Sequence, residues 1–238
     1  MRLADFTDLI SNMPVSNQAF ASKRSTWSAY RSHKDAAGAA LQGIFDAYSL
    51  DSDNIFLSRG DLRDLALKPH LAEFVMATII WGYPRGMRGH NFKNVASHLD
   101  ALCRLLSDAR SCPISDWNSH YENVRPIRGV GLSTYTKFLH FLPAQIEGHA
   151  ALILDERIIE VTQLNLFEEL AAIRRLTSAN ASRLYPKYLE CIDDAASRLS
   201  LPSDKIEFFL FEFGLHLKAG QDPRAAEIRE HSSRIRQA

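Results

Sequence analysis

Cysteine is scarce: the chain has only Cys103, Cys112 and Cys191. An odd set at this spacing fits neither a zinc nor an iron–sulfur ligand set. Free cytosolic thiols are the expectation, with no metal and no other cofactor. Net charge is missing too, since 28 Lys and Arg balance 28 Asp and Glu. That argues against a nonspecific nucleic-acid coat but leaves room for a local basic groove. No long apolar run opens the chain, and MRLADFTDLI carries charges, so neither a signal peptide nor a membrane span is expected. Internal repeats and low-complexity segments are absent. What is present is ordinary: 238 residues, 46% hydrophobic and 24% charged. Such a chain makes one large domain or two small lobes and buries a core without disulfides.

With 11 glycines in all, the pair in Gly129-Val130-Gly131 stands out. Two glycines one residue apart let the backbone take positive φ and let another backbone come close. Ser133 and Thr134 follow, placed to cap a helix from Thr134 to about Leu142. Tyr135, Phe138, Leu139 and Leu142 recur at helical spacing along it. A Gly-x-Gly turn feeding a helix aims free N–H groups outward, where they suit a phosphate. The alternative is a tight helix–helix connection with no ligand, and Gly-x-Gly alone does not separate the two.

Residues 1 to about 55 read as helical segments with polar joints. Leu41, Ile44, Phe45 and Tyr48 share a face in a helix from Asp35 to Leu50. LDSDN (50–54) is a turn cluster, and Lys23, Arg24, Arg31 and Lys34 form a solvated face. Ser58 caps the helix through RGDLRDLAL, and Pro69 opens the next, HLAEFVMATIIWG (70–82), which is apolar enough to be buried. The loop YPRGMRGHN (83–91) follows, then one amphipathic helix over 91–109 with Val95, Leu99, Leu102, Leu105 and Leu106 on one face. SDWNSHYENVRP (115–126) forms a helix ended by Pro126. Beyond the glycine turn come the short apolar run Ala150–Leu154, a helix over Glu156–Val161 starting near Asp155, and a long helix over Ser182–Leu199 interrupted or started near Pro186. IEFFLFEFGLHLK (206–218) is apolar, with Phe208, Phe209, Phe211 and Phe213 almost ringing it. Four phenylalanines so placed are more often core than pocket. The tail 221–238 is charged and reads as surface helix or disorder.

GVGLST (129–134) followed by ILDERIIEV (153–161) resembles the helix-hairpin-helix DNA glycosylase superfamily, whose core is a Gly-Val-Gly hairpin, a helix and then a catalytic Asp. The hairpin and the Ile-Leu-Asp step look most like the adenine glycosylase branch. The rest is more similar to the 8-oxoguanine (OGG-like) branch, especially a bacterial group found among phage-defence genes, and the resemblance as a whole covers roughly Leu71 to Leu217. The resemblance implies an all-α, two-lobed helix-hairpin-helix DNA glycosylase fold over residues 1–220, with the site between the lobes. It also implies a monomer acting on double-stranded DNA in the cytoplasm, with partners from a defence operon. Some adenine-type relatives carry a four-Cys cluster, which three cysteines cannot make. Arg128 stands where the family has Pro, adding a charge and loosening the turn.

The same resemblance assigns roles. The hairpin Arg128, Gly129, Val130, Gly131, Ser133 and Thr134 would grip DNA. In the loop, Arg85, Met87, Arg88 and Asn91 would enter the minor groove and fill the gap left by an extruded base. An ordinary exposed loop is the alternative, but Trp81, Tyr83 and Met87 are costly to expose without a reason. Phe211 would stack on the base and Glu207 would read its edge. Catalysis would rest on Asp155, with Lys137 and Ser133 beside it. Breaking an N-glycosidic bond puts positive charge on the sugar, and a carboxylate near the anomeric carbon stabilises it. The base must first leave the stack. Asp155 also fits a plain helix N-cap, and both roles are compatible.

A lyase needs an amine nucleophile. Counted from the hairpin, the family lysine falls on Ser133, which argues for a water-using, monofunctional enzyme. Counted back from Asp155, it falls on Lys137, eighteen residues away rather than twenty-two. The hairpin count is preferred, since the loop Pro143–His149 absorbs extra residues cheaply. Lys137 nevertheless lies one turn on, able to form a Schiff base or simply to hold a phosphate. The main expectation is thus excision of a damaged or modified purine, 8-oxoguanine-like, with AP-lyase activity through Lys137 if a Schiff base forms. The rivals are a defence enzyme acting on modified bases or nucleotides and a non-catalytic helix-hairpin-helix DNA-binding module.

Overall fold

In the computed structural model, which describes residues 1–31, 35–49, 51 and 53–217, the chain is mostly helical and divides into two compact units. One joins Met1–Met13 to the chain from Leu154 onward, and the other is Pro14–Ile153. The expectations for Lys34, for Leu50 and Ser52 of the turn cluster, and for the tail 221–238 fall outside the described residues.

The first unit opens with the short helix α1 (Thr7–Ser11). The second unit begins with β1 (Ala19–Lys23), α2 (Arg24–Arg31), α3 (Ala36–Tyr48) and β2 (Asn54–Ser58). β1 and β2 pair antiparallel, Ala19 opposite Ser58 and Lys23 opposite Asn54. This corrects the expectation of helices alone up to residue 55. Ala-Phe-Ala-Ser-Lys has little intrinsic strand preference, and its pairing partner lies some thirty residues on, beyond the reach of local pattern. Asp35 caps α3 by accepting the Gly38 N–H at 2.8 Å. Ser58 caps α4 (Arg59–Ala66) as its sequence promised, in a reciprocal box with Asp61.

Helix α5 (Ala72–Gly82) is the axle of this unit. Phe74 through Trp81 are all buried, because α3, α4 and the β pair pack around it. It starts at Ala72, two residues later than its apolar pattern suggested, with Pro69 left outside. The expected helix over 91–109 is two, α6 (Asn91–Ser97) and α7 (Leu99–Ser111). They break at His98, whose backbone leaves helical values while its Nδ1 sits 2.8 Å from the Asn94 carbonyl. The unit closes with α8 (Trp117–Glu122), α9 (Leu132–Phe141) and a two-residue pair, β3 (Gln145–Ile146) with β4 (His149–Ala150). α7 and α9 complete the packing on α5.

In the first unit, α10 (Glu156–Gln163), α11 (Ala181–Leu199) and α1 surround α12 (Ser203–Phe213). Pro186 lies inside α11 near its start, and the helix runs on through it to Leu199. The phenylalanine ring of α12 is core, as its density suggested. Phe209 meets Phe6 at 5.1 Å and Phe167 at 6.1 Å between ring centroids. Phe208 and Phe213 are also buried, and only Phe211 is partly open. Truncating Phe209 to Ala would cost about 3–5 kcal/mol.

Candidate functional site

The loop after α5 is tied down at both ends. At its start, the Ser22 hydroxyl donates to the Pro84 carbonyl at 2.7 Å, and the Trp27 indole N–H donates to the same hydroxyl at 2.8 Å. Tyr83 and Thr134 share a hydroxyl–hydroxyl bond of 2.7 Å, joining the loop to the first turn of α9. At its end the loop meets the glycine turn. Gly129 has φ +90°, and a Cβ there would stand 2.5 Å from the Asn91 carbonyl oxygen. Only glycine fits both demands. Trp81 is buried against Phe141 and Phe20, so it belongs to the core and is no argument for loop function.

The hairpin is α8, the turn and α9. Asp116 caps α8 by accepting the Ser119 N–H at 3.0 Å. The helix stops at Glu122, four residues before Pro126, so the proline does not end it. A 2.6 Å hydrogen bond joins His120 Nε2 to the Tyr135 hydroxyl, across from α8 to α9. Burial pushes the His120 pKa down and that of Tyr135 well up. The cap of α9 differs from expectation. Gly131 is the N-cap, in extended backbone, and no side chain caps the helix. Ser133 and Thr134 lie inside the first turn instead. The first-turn amides of Leu132, Ser133 and Thr134 therefore have no intrahelical acceptor.

Loop and hairpin enclose one open groove of about 760 Å³. Met87, Arg88 and Asn91 line it from the loop side. Arg128, Gly129, Val130, Gly131, Ser133 and Thr134 line it from the hairpin side. Arg85 is exposed but does not line it. Arg125 and Tyr83 do, and sequence reasoning passed over both as site residues. Two arginines, Arg125 and Arg128, within the four residues ahead of the Gly-Val-Gly turn were the available signal for Arg125. The groove offers two arginines from the hairpin, one from the loop and an uncapped helix end, a combination suited to anionic oxygen.

Lys137 sits behind this surface, 7% exposed. Its Nζ donates to Ser133 Oγ at 2.8 Å and to the Ser133 carbonyl at 3.2 Å. One turn further, His140 is buried, with Nδ1 3.0 Å from the Ala151 carbonyl. Since a carbonyl only accepts, Nδ1 carries the proton. Burial, helped by the charges of Arg59 and Arg63, pushes the His140 pKa down to about 3.

In the other unit, Asp155 is the N-cap of α10 and accepts the Ile158 N–H at 3.1 Å. The cap reading of Asp155 is thus met, and Leu154 before it is buried. Arg157, which sequence reasoning missed, lays its guanidinium over the Phe211 ring at 5.2 Å from the centroid. Its Nη2 donates to the Glu212 carbonyl at 3.1 Å. Glu207 is fully buried. Among the described residues, no three His, Cys, Asp or Glu side chains gather in a way that could hold a metal ion.

A mostly helical chain with a glycine hairpin, an uncapped helix and an Asp-capped helix further on has the parts of a helix-hairpin-helix DNA glycosylase. The family model described as "Putative 8-oxoguanine DNA glycosylase OGG-like protein" matches residues 13–211, and the chain belongs to that family. Membership makes it a DNA glycosylase by class and a DNA-binding protein. No curated protein matches the chain, and no solved structure does. Among the described residues, no helix is long and apolar enough to cross a membrane.

Proposed function

We propose that the protein excises a damaged or modified purine, with 8-oxoguanine as the type, from double-stranded DNA after flipping the base out of the stack. The observation that carries this is the single groove shared by Met87, Arg88 and Asn91 with the hairpin from Arg128 to Thr134. Backbone amides and arginines there suit the phosphates of a strand, and Met87 supplies an apolar wedge beside them. Asp155 is the carboxylate that stabilises the developing sugar cation, held in one orientation by the Ile158 amide. Lys137 is the amine of an accompanying lyase step. Phe211, backed by Arg157, is the ring on which the base stacks, with Glu207 its edge reader. In this reading residues 1–220 act as one glycosylase domain, as a cytoplasmic monomer, with or without partners from a defence operon.

The test is a cleavage assay on labelled duplexes carrying 8-oxoguanine opposite each normal base, with wild type, Asp155→Asn and Lys137→Gln. Release of the base by wild type and its loss in Asp155→Asn is the expected result. Intact duplex after prolonged incubation with wild type, despite salt-sensitive binding, would sink 8-oxoguanine as the substrate and point to modified phage bases.

A further inference from the structure

Lys137 comes one helical turn after the hairpin position that Ser133 occupies, yet the two side chains meet. We infer that Ser133 is the positioning residue that presents the Lys137 amine to the groove, with Gly82 as the floor on which the lysine stem lies. This rests on the proposal that Lys137 is the lyase amine.

Three contacts define the seat. The Ser133 hydroxyl accepts from Nζ at 2.8 Å. The Ser133 carbonyl also accepts from Nζ, but at 3.2 Å, and it already takes the Thr136 hydroxyl at 3.3 Å. With the helical N–H of residue 137 in line for the same oxygen, its two lone pairs are oversubscribed. Of the two Ser133 oxygens, the hydroxyl is therefore the better acceptor for the amine. Below it, a Cβ on Gly82 would stand 3.2 Å from Lys137 Cδ and 3.5 Å from Cε. Any larger residue at 82 would lift the stem. Ser133 lines the groove and Lys137 does not, so the amine meets the groove's lining at the Ser133 hydroxyl.

That placement gives Ser133 two tasks. It aims Nζ at the groove mouth, and it provides a way out for a proton. An ammonium hydrogen passes to Ser133 Oγ while the hydroxyl hydrogen leaves to groove water, so the lysine becomes a neutral amine and solvent gains one proton. The amine then attacks the C1′ aldehyde of a ring-opened abasic sugar. The N–C1′ bond forms, the carbonyl oxygen departs as water with the two amine hydrogens, and an imine remains. Ser133 itself is half-buried at the groove, where the count from the hairpin puts the family lysine. One placed a turn later reaches the same mouth with its stem buried.

An abasic duplex tests this without knowing the excised base. Trapping with cyanoborohydride, which reduces the imine to a stable amine, is followed for wild type, Ser133→Ala, Ser133→Thr, Gly82→Ala and Lys137→Gln at saturating protein. Affinity for the duplex and thermal midpoint are measured alongside. The adduct is expected on the Lys137 peptide and absent in Lys137→Gln. At saturating protein, where affinity drops out of the rate, Ser133→Ala should trap about tenfold more slowly, as misplacement of a reacting group predicts. Ser133→Thr, which keeps the hydroxyl, should recover most of the rate, and Gly82→Ala should fall between. A Ser133→Ala rate equal to wild type, with Lys137→Gln dead, overturns the seat and leaves the lyase proposal standing. No adduct in wild type overturns both. A Ser133→Thr variant as slow as Ser133→Ala also overturns the seat, since the hydroxyl would then not be what matters.

Discussion

Helix α9 starts at a bare glycine, whereas α10 starts at a carboxylate. At α9, Gly131 brings no side chain to the first-turn amides, which stay open to the groove. At α10, Asp155 occupies the Ile158 amide and is fixed by it. Both ends carry the positive pole of a helix. One leaves that pole for an incoming anion, and the other uses it to hold an anion of its own. On the proposed function, one motif of local structure serves two tasks, binding and catalysis, through the choice of the capping residue alone.

The sharpest way to break this contrast is to remove the charge at α10 but keep the cap. Asn caps about as well as Asp, so Asp155→Asn should leave the thermal midpoint unchanged. Base excision should drop at least about 100-fold, the scale of a lost electrostatic stabiliser. Excision surviving in that variant would remove Asp155 from the chemistry. At α9, the two glycines should respond differently to Ala. Gly129→Ala meets both a positive φ and the Asn91 carbonyl, and should cost more than about 2 kcal/mol in urea unfolding. Gly131 has nothing within 4 Å of a new Cβ and an extended backbone. Gly131→Ala should therefore stay within about 0.5 kcal/mol. Equal losses would mean that the turn needs both glycines.

Near the end of α9, buried His140 holds the Ala151 carbonyl with its Nδ1 at 3.0 Å. Folded His140 stays neutral down to about pH 3, while the unfolded chain takes up that proton near pH ~6.5. Below that value the unfolded state binds more protons, so stability falls as pH falls, by a slope approaching about 1.4 kcal/mol per unit. His120 shifts in the same direction and adds to it. His140→Asn keeps a donor for the Ala151 carbonyl and should flatten the slope between pH 6.5 and 4, measured by denaturant unfolding. The smallest effect is expected at the groove rim. Arg88→Ala or Arg128→Ala should each lower the salt slope of duplex binding by about one, with little change in stability.

Much of the frame was legible because its signals are local. Ser58 with Asp61, the unbroken apolar run of α5 and the paired glycines each sit within a few residues of what they specify. The groove was only half legible. Met87, Arg88 and Asn91 were placed opposite the hairpin by family resemblance, and nothing in their own spacing requires it. The Tyr83–Thr134 bond joins residues 51 apart, and the β1–β2 pair closes over two helices. Such contacts are set by tertiary packing, which no periodicity records. The error at Ser133 and Thr134 has a similar cause. Both are good caps by type, but the glycine before them already has the extended backbone a cap needs.

Trp27 offers a consequence of a different kind. Its indole N–H reaches the one hydroxyl that holds the Pro84 carbonyl, at the root of the loop. Any movement of that loop when a duplex arrives changes the hydrogen bonding and polarity around a buried fluorophore. If the duplex enters the groove as proposed, Trp27 is an optical gauge of its occupancy. With Trp81 and Trp117 replaced by Phe, emission should shift on adding duplex, and adding Ser22→Ala to that background should abolish the shift.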